Sequence, residues 1–101
     1  MKVYQTLKHH DKSNYTADVE DSAKWEAGFR SHIDLLQSMS ISKPIHFTTN
    51  EYNEVAICSE PDDLDKYLEV FNSPATVEAM AYDGVKHETV KVFFLNKELR
   101  I

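Results

Sequence analysis

Two segments of this sequence carry helical periodicity, and the shorter segments around them alternate apolar with polar residues. In the first helical segment Trp25, Phe29 and Leu36 recur at helical spacing, with charged residues mostly on the opposite side. This pattern predicts one amphipathic helix over residues 19–39, with Asp18 as its N-cap. Such a helix is stable only when another element covers its apolar face, so the alternating segments must supply that cover.

The second helical segment begins after Pro61. Two acidic residues follow this proline, where they suit the exposed amides of a helix N-terminus. Leu64, Tyr67 and Phe71 then form an apolar stripe. We predict a second amphipathic helix that packs on the same core as the first.

The stretch from Phe71 to Val85 contains one of the three prolines and one of the two glycines of the chain. Pro74 fits the first position of a further helical piece, where a missing N–H is tolerated. Gly84 fits the left-handed position that ends a helix. We therefore predict a bent helix in two pieces, turned back towards the sheet at Gly84.

Strand periodicity occupies four segments: residues 2–8, 45–49, 54–60 and 88–95. The middle two are separated by a short polar turn and are predicted to form a hairpin. Residues 9–18 are polar and rich in turn formers, and we predict a loop there.

The predicted order is therefore β-α-β-β-α-β, which is typical of the split βαβ arrangement. It predicts an α+β fold: a four-stranded antiparallel sheet with two helices on one face. A length of 101 residues fits one domain spanning residues 1–101, because two cores would each be too small.

Charge and composition exclude several classes of function. The 17 acidic and 11 basic residues give a formal charge of −6, and the basic ones are scattered, so we expect no nucleic-acid partner. No apolar run approaches the roughly 18 residues of a membrane span, and the first residues do not resemble a signal peptide. The single cysteine, Cys58, favours a buried thiol in a reducing compartment, and we expect a cytoplasmic protein.

The sequence resembles the small dimeric α+β-barrel proteins of the ferredoxin-like, antibiotic-biosynthesis-monooxygenase-like class. The resemblance rests on a first segment ending in His, on VEDSAKWEAGFRSH, and on the pattern DDL…F…SP…AM…GV. It implies the fold described above, assembled as a dimeric α+β barrel. The class includes cofactor-independent monooxygenases, haem-degrading enzymes, lactone isomerases, stress-responsive barrels and ligand-sensing domains, so the fold alone does not select a function.

A second observation also favours a dimer. Tyr4, Phe93 and Leu95 place large apolar groups on the sheet face that the helices leave open. An exposed patch of this kind usually marks an interface. We predict a two-fold homodimer in which two sheets pack face to face.

The candidate catalytic residues are His32 and His46. His32 shares a helix face with Trp25 and Phe29, where burial could tune it as a base or an orienting donor. His46 lies on the opposite strand face from Phe47, so it belongs to the pocket or to the dimer face. The simpler interpretation is that Trp25 and Phe29 are core and His32 is a hydrogen-bonded core or rim histidine.

The candidate ligand-binding residues are Trp25, Phe29, Tyr67, Met80 and Tyr82. They would line a pocket between the helices and the sheet. Tyr offers a polar tip and Met an adaptable shape, but both are also common in ordinary cores.

No metal or cofactor is expected. His9 and His10 could meet His87 or Asp11, but the spacing matches no zinc or facial-triad pattern. The haem-degrading relatives bind iron through a histidine of the second helix, and residues 61–84 contain none.

Two functions stay open. The first is a homodimeric small-molecule-binding domain acting as a cofactor-independent monooxygenase- or isomerase-like enzyme on a small cyclic or aromatic compound. The second is a non-catalytic dimeric binding or structural module whose interior is filled by its own side chains. An open or a filled interior would distinguish them.

Overall fold

A computed structural model of the chain describes residues 12–101. In chain order the elements are β1 (Lys12–Asp18), α1 (Ser22–Ser31), α2 (Ile33–Ser38), β2 (His46–Thr49), β3 (Glu54–Ser59), α3 (Leu64–Phe71), α4 (Pro74–Tyr82), a 3-10 helix (His87–Thr89) and β4 (Lys91–Leu95).

The four strands form one antiparallel sheet in the order β2-β3-β1-β4. Tyr15 of β1 and Val55 of β3 are buried on one face of this sheet, in the same core cluster as Trp25 of α1. Phe71 and Met80, from α3 and α4, pack against that cluster, so both helical regions cover the same sheet face. The chain therefore has the α+β ferredoxin-like fold that the order of its elements predicts.

The loop predicted over residues 9–18 is wrong from Lys12 onwards, because that segment forms β1. Ser13, Tyr15 and Ala17 are buried on the helix side of the strand. Pairing with β3 on one side and β4 on the other satisfies the backbone of a segment whose side chains favour turns. The strand predicted at residues 2–8 lies outside the described residues.

The first helix begins at Ser22, and its N-cap is Asp21 instead of the predicted Asp18. The side chain of Asp21 accepts hydrogen bonds from the N–H groups of the two residues after Ser22. Val19 is held in extended conformation by a bridge to Val85, which delays the helix. Sheet pairing thus competes with helix propensity and moves the start by three residues.

The single helix predicted over residues 19–39 is interrupted at His32, which ends α1 and precedes α2. The N–H of His32 donates to the carbonyl of Phe29 at 3.2 Å, a bond three residues back instead of four. The hydroxyl of Ser31 donates to the carbonyl of Gly28 at 2.6 Å. Serine favours caps and turns over helix interiors, which favours a break at this point.

The bent second helical region is confirmed. Asp63 caps α3, which ends at Phe71, and Pro74 occupies the first turn of α4. Gly84 adopts a φ of 79°, in the left-handed region. The N–H of Val85 then donates to the carbonyl of Met80 at 3.0 Å, which closes the end of the helix.

The last strand is shorter than the predicted residues 88–95, because a 3-10 turn precedes β4. Val92 pairs with the buried Tyr15 and faces the helices. Phe93 and Leu95 lie on the other sheet face, 48% and 45% exposed. Within residues 12–101 no helix has the length and apolar character needed to cross a membrane.

Candidate ligand cavity

A cavity of about 80 Å³ lies between the helices and the inner face of the sheet. Most of its wall is apolar, and it includes side chains from all four α-helices and from two strands. Seven lining residues carry a hydrogen-bonding group: Tyr15, Trp25 through its indole N–H, His32, Ser59, Tyr67, Thr76 and Asp83. A mainly apolar cavity with a few converging polar groups is the usual architecture of a small-molecule site.

Two aromatic rings of α1, Trp25 and Phe29, line the cavity, and a third ring packs on both of them. Trp25 is 2% exposed, and its ring stacks on that of Phe29 with centroids 4.9 Å apart and an angle of 11°. These residues are four apart on α1, so the helix itself aligns the rings. Phe47 of β2 meets both edge-on, at 5.9 and 5.2 Å. Trp25 and Phe29 therefore line the cavity as a stacked pair.

The polar end of the cavity is a histidine–aspartate pair. His32 Nε2 lies 3.0 Å from Asp83 Oδ2. His32 stands at the break between α1 and α2, and Asp83 is the C-cap of α4, so the pair joins the two helical regions. Asp83 is 5% exposed. Burial raises the pKa of the Asp83 carboxyl, and the neighbouring His32 partly offsets that increase.

The absence of a side chain at Gly28 leaves room for the Asp83 carboxylate to pack against α1. A Cβ at Gly28 would lie 2.7 Å from Cγ of Asp83, and closer still to Oδ1. Asp83 Oδ1 has no hydrogen-bond partner among the residues that the structure describes. His32 Nε2 also has no hydrogen-bond partner within those residues, so its 3.0 Å approach to Oδ2 is a close contact without hydrogen-bond geometry.

Two tyrosines, Tyr15 and Tyr67, also line the cavity. Ser13 Oγ donates to Tyr67 Oη at 2.7 Å. Burial raises the pKa of Tyr67, although its bonds to Ser13 and Ser59 act in the opposite direction. Burial also raises the pKa of Tyr15, and the negative charge of Asp83 adds to that rise. Both phenols therefore stay protonated at neutral pH.

Five of the seven residues predicted for the site line this one cavity: Trp25, Phe29, His32, Tyr67 and Met80. His46 is exposed on the outer face of the sheet, where it pairs in register with Cys58. The pairing of His32 with His46 that the sequence left open is therefore not formed. Tyr82 is 77% exposed and does not line the cavity, because the last turn of α4 directs it away from the core.

Sequence reasoning missed Asp83 and Tyr15. Tyr15 lies in the segment predicted to be a loop, so sequence reasoning had no basis for placing it in the core. Asp83 stands beside Gly84 at the C-terminal end of a helix, where a negative charge is unfavourable to the helix dipole. That mismatch was the available signal that this acid has a partner elsewhere.

Across residues 12–101, no group of three or more His, Cys, Asp or Glu side chains is arranged to hold a metal ion. His9, His10 and Asp11, considered above as metal ligands, lie outside that range.

No protein-family model matches the chain, and no curated protein matches it in sequence. Solved structures do match in three dimensions. A candidate antibiotic biosynthesis monooxygenase from Bordetella bronchiseptica aligns with a TM-score of 0.67 at 12% identity, over 88% of this chain and 97% of its own.

Two further structures agree with this result. An antibiotic biosynthesis monooxygenase aligns with a TM-score of 0.64 at 6% identity, over 88% of this chain and 99% of its own. A dimeric ferredoxin-like protein from an uncultured marine organism aligns with a TM-score of 0.58 at 13% identity, over 97% of this chain and 96% of its own. At these identities the likeness concerns the fold. The chain thus has the fold of the small ferredoxin-like α+β proteins, and the resemblance predicted from its sequence is confirmed at that level.

Proposed function

We propose that the chain is a single-domain, homodimeric small-molecule-binding protein that carries out cofactor-free acid–base chemistry on a small cyclic or aromatic compound. The observation that carries the proposal is the contact of His32 with the buried Asp83 at the wall of an apolar cavity. The fold shared with antibiotic biosynthesis monooxygenases supports it.

The proposed chemistry follows from the pair. Asp83 faces Nε2 of His32, which leaves Nδ1 as the nitrogen that can accept a proton. The carboxylate would stabilise the imidazolium that forms when His32 removes a proton from a ligand carbon. The resulting carbanion can be reprotonated at another carbon, which is isomerisation. It can also react with dioxygen to form a carbon–oxygen bond and, after protonation, a hydroperoxide; breaking the O–O bond with loss of water then leaves a carbonyl, so the ligand itself supplies the electrons.

We expect His32→Ala to slow proton removal from the ligand strongly while leaving the protein folded. Compounds would first be screened by the fluorescence of Trp25, the single tryptophan of the chain, which lines the cavity. For each compound that binds, NMR in deuterated water would measure exchange of its acidic C–H. Loss of a general base should slow this exchange by about 10²–10⁴-fold.

His46→Ala is the matched control, because His46 is exposed and does not line the cavity. It should leave exchange unchanged. Exchange at the wild-type rate in His32→Ala would contradict the role proposed for His32.

Assembly as a homodimer is proposed on separate grounds. Phe93 and Leu95 expose apolar area on the outer sheet face, and one structure of the same fold is named as dimeric. We expect sedimentation at twice the monomer mass of 11.7 kDa. Phe93→Asp should weaken the dimer at least about tenfold, or about 1.4 kcal/mol. Tyr52→Asp, in the exposed hairpin turn, is the control. A wild-type protein that sediments only as a monomer would contradict this assembly.

A second candidate function is a non-catalytic dimeric module, and the size of the cavity favours it. A volume of about 80 Å³ is below the roughly 150 Å³ of an apolar cavity known to admit benzene. An enzyme would have to widen this space by moving side chains. If no compound in the screen alters Trp25 fluorescence, the non-catalytic module is the better description.

A further inference from the structure

The cavity has one negative group and no fixed positive one. Asp83 is its only acidic lining residue, and the lining residues, all within the described part of the chain, include no Lys or Arg. His32, the one side chain able to become cationic there, already faces Asp83 at 3.0 Å. An anionic ligand would therefore meet an unfavourable charge without a free partner.

Asp83, which lines the cavity, also has an unsatisfied acceptor. Asp83 Oδ1 is buried and makes no hydrogen bond within residues 12–101, although an acceptor without a partner is costly in an apolar environment. Ser13 and Tyr67, by contrast, already bond to each other. Asp83 Oδ1 and His32 Nε2 are therefore two buried polar atoms of cavity-lining residues that have no hydrogen-bond partner within residues 12–101, and a ligand that donates to the carboxylate would satisfy the first of them.

We infer that Asp83 is a specificity-determining residue that makes the cavity select neutral ligands bearing a hydroxyl or amino donor and reject carboxylates. The inference rests on the proposed function, because it concerns the ligand of the same site. It adds the class of compound, which the fold and the His32 contact leave open. The Asp83 carboxylate is the acceptor that such a donor would meet at the cavity wall.

Three probes of similar ring size test the inference: phenol, a neutral donor; toluene, which lacks the donor; and benzoate, an anion. Trp25 fluorescence and the melting temperature would report binding at neutral pH. A hydrogen bond to a charged acceptor predicts that phenol binds about 10–100 times more tightly than toluene. Benzoate should bind more weakly than either.

Asp83→Asn keeps the shape of the side chain and removes its charge. It should reduce the preference for phenol over toluene by at least about tenfold and allow benzoate to bind, because an amide nitrogen can donate to a carboxylate. Asp65→Asn makes the same change at an exposed position and should alter neither preference. If Asp83→Asn does not fold, the relative affinities of the wild-type protein for phenol, toluene and benzoate still test the inference.

The possible failures are distinguishable. Wild-type protein that binds benzoate as tightly as phenol, or an Asp83→Asn protein with the wild-type preference, overturns the inference and leaves the proposed function intact. If none of the three probes binds, the proposed function fails and the inference falls with it.

Discussion

Replacing Trp25 with alanine is expected to lower the free energy of unfolding by about 3–5 kcal/mol, the usual cost of removing a large buried aromatic side chain. Trp25 is 2% exposed and contacts the rings of Phe29 and Phe47. Its removal would enlarge a cavity that already exists and leave two rings without their central partner. Small domains are stable by only about 5–15 kcal/mol, so this loss is a large fraction.

Urea denaturation followed by circular dichroism measures this change, since the variant has lost the tryptophan signal. Tyr52→Ala is the control, because Tyr52 is 75% exposed and surface substitutions usually change stability by less than about 0.5 kcal/mol. A loss below about 1 kcal/mol for Trp25→Ala would show that the aromatic cluster does not support the core as described.

The parts of the fold predicted correctly are those that depend on local chemistry. Pro74 and Gly84 mark a helix start and stop through their own backbone preferences, and both occupy the predicted positions. The strand β1 was missed because Ser13 and Asn14 favour turns when considered alone. Only pairing with two neighbouring strands, far away in sequence, makes them extended.

The residues of the candidate site also divide into those that a local pattern predicts and those that it does not. The shared face of Trp25, Phe29 and His32 follows from helical spacing, and the structure places all three at one cavity. The partner of His32 could not be found by spacing, because Asp83 comes from a different helix. Their contact depends on how closely α4 approaches α1, and the sequence expresses that closeness only through the absence of a side chain at Gly28.

Gly28→Ala is expected to destabilise the protein by about 1–3 kcal/mol, the usual cost of overpacking a core. The direction of this change is informative, because replacing a glycine inside a helix with alanine normally stabilises a protein by up to about 1 kcal/mol. Here the added methyl group would overlap with the Asp83 carboxylate, whose Cγ would be only 2.7 Å away. Asp83 would have to move, and its contact with His32 would be lost. Thermal and urea denaturation measure the change.

Making Gly28→Ala in an Asp83→Ala protein separates the overlap with the carboxylate from the effect of helix propensity. Without the carboxylate, Gly28→Ala should stabilise the protein by up to about 1 kcal/mol through helix propensity alone, so the coupling between the two sites changes the sign of the substitution. Ala27→Gly, at the exposed neighbouring position, calibrates that propensity term in the same helix. If Gly28→Ala stabilised the protein in both backgrounds, Asp83 could not be packed against α1. The histidine–aspartate pair would then lose the geometry that holds it at the cavity wall, since the same approach of α4 to α1 brings Asp83 to both Gly28 and His32.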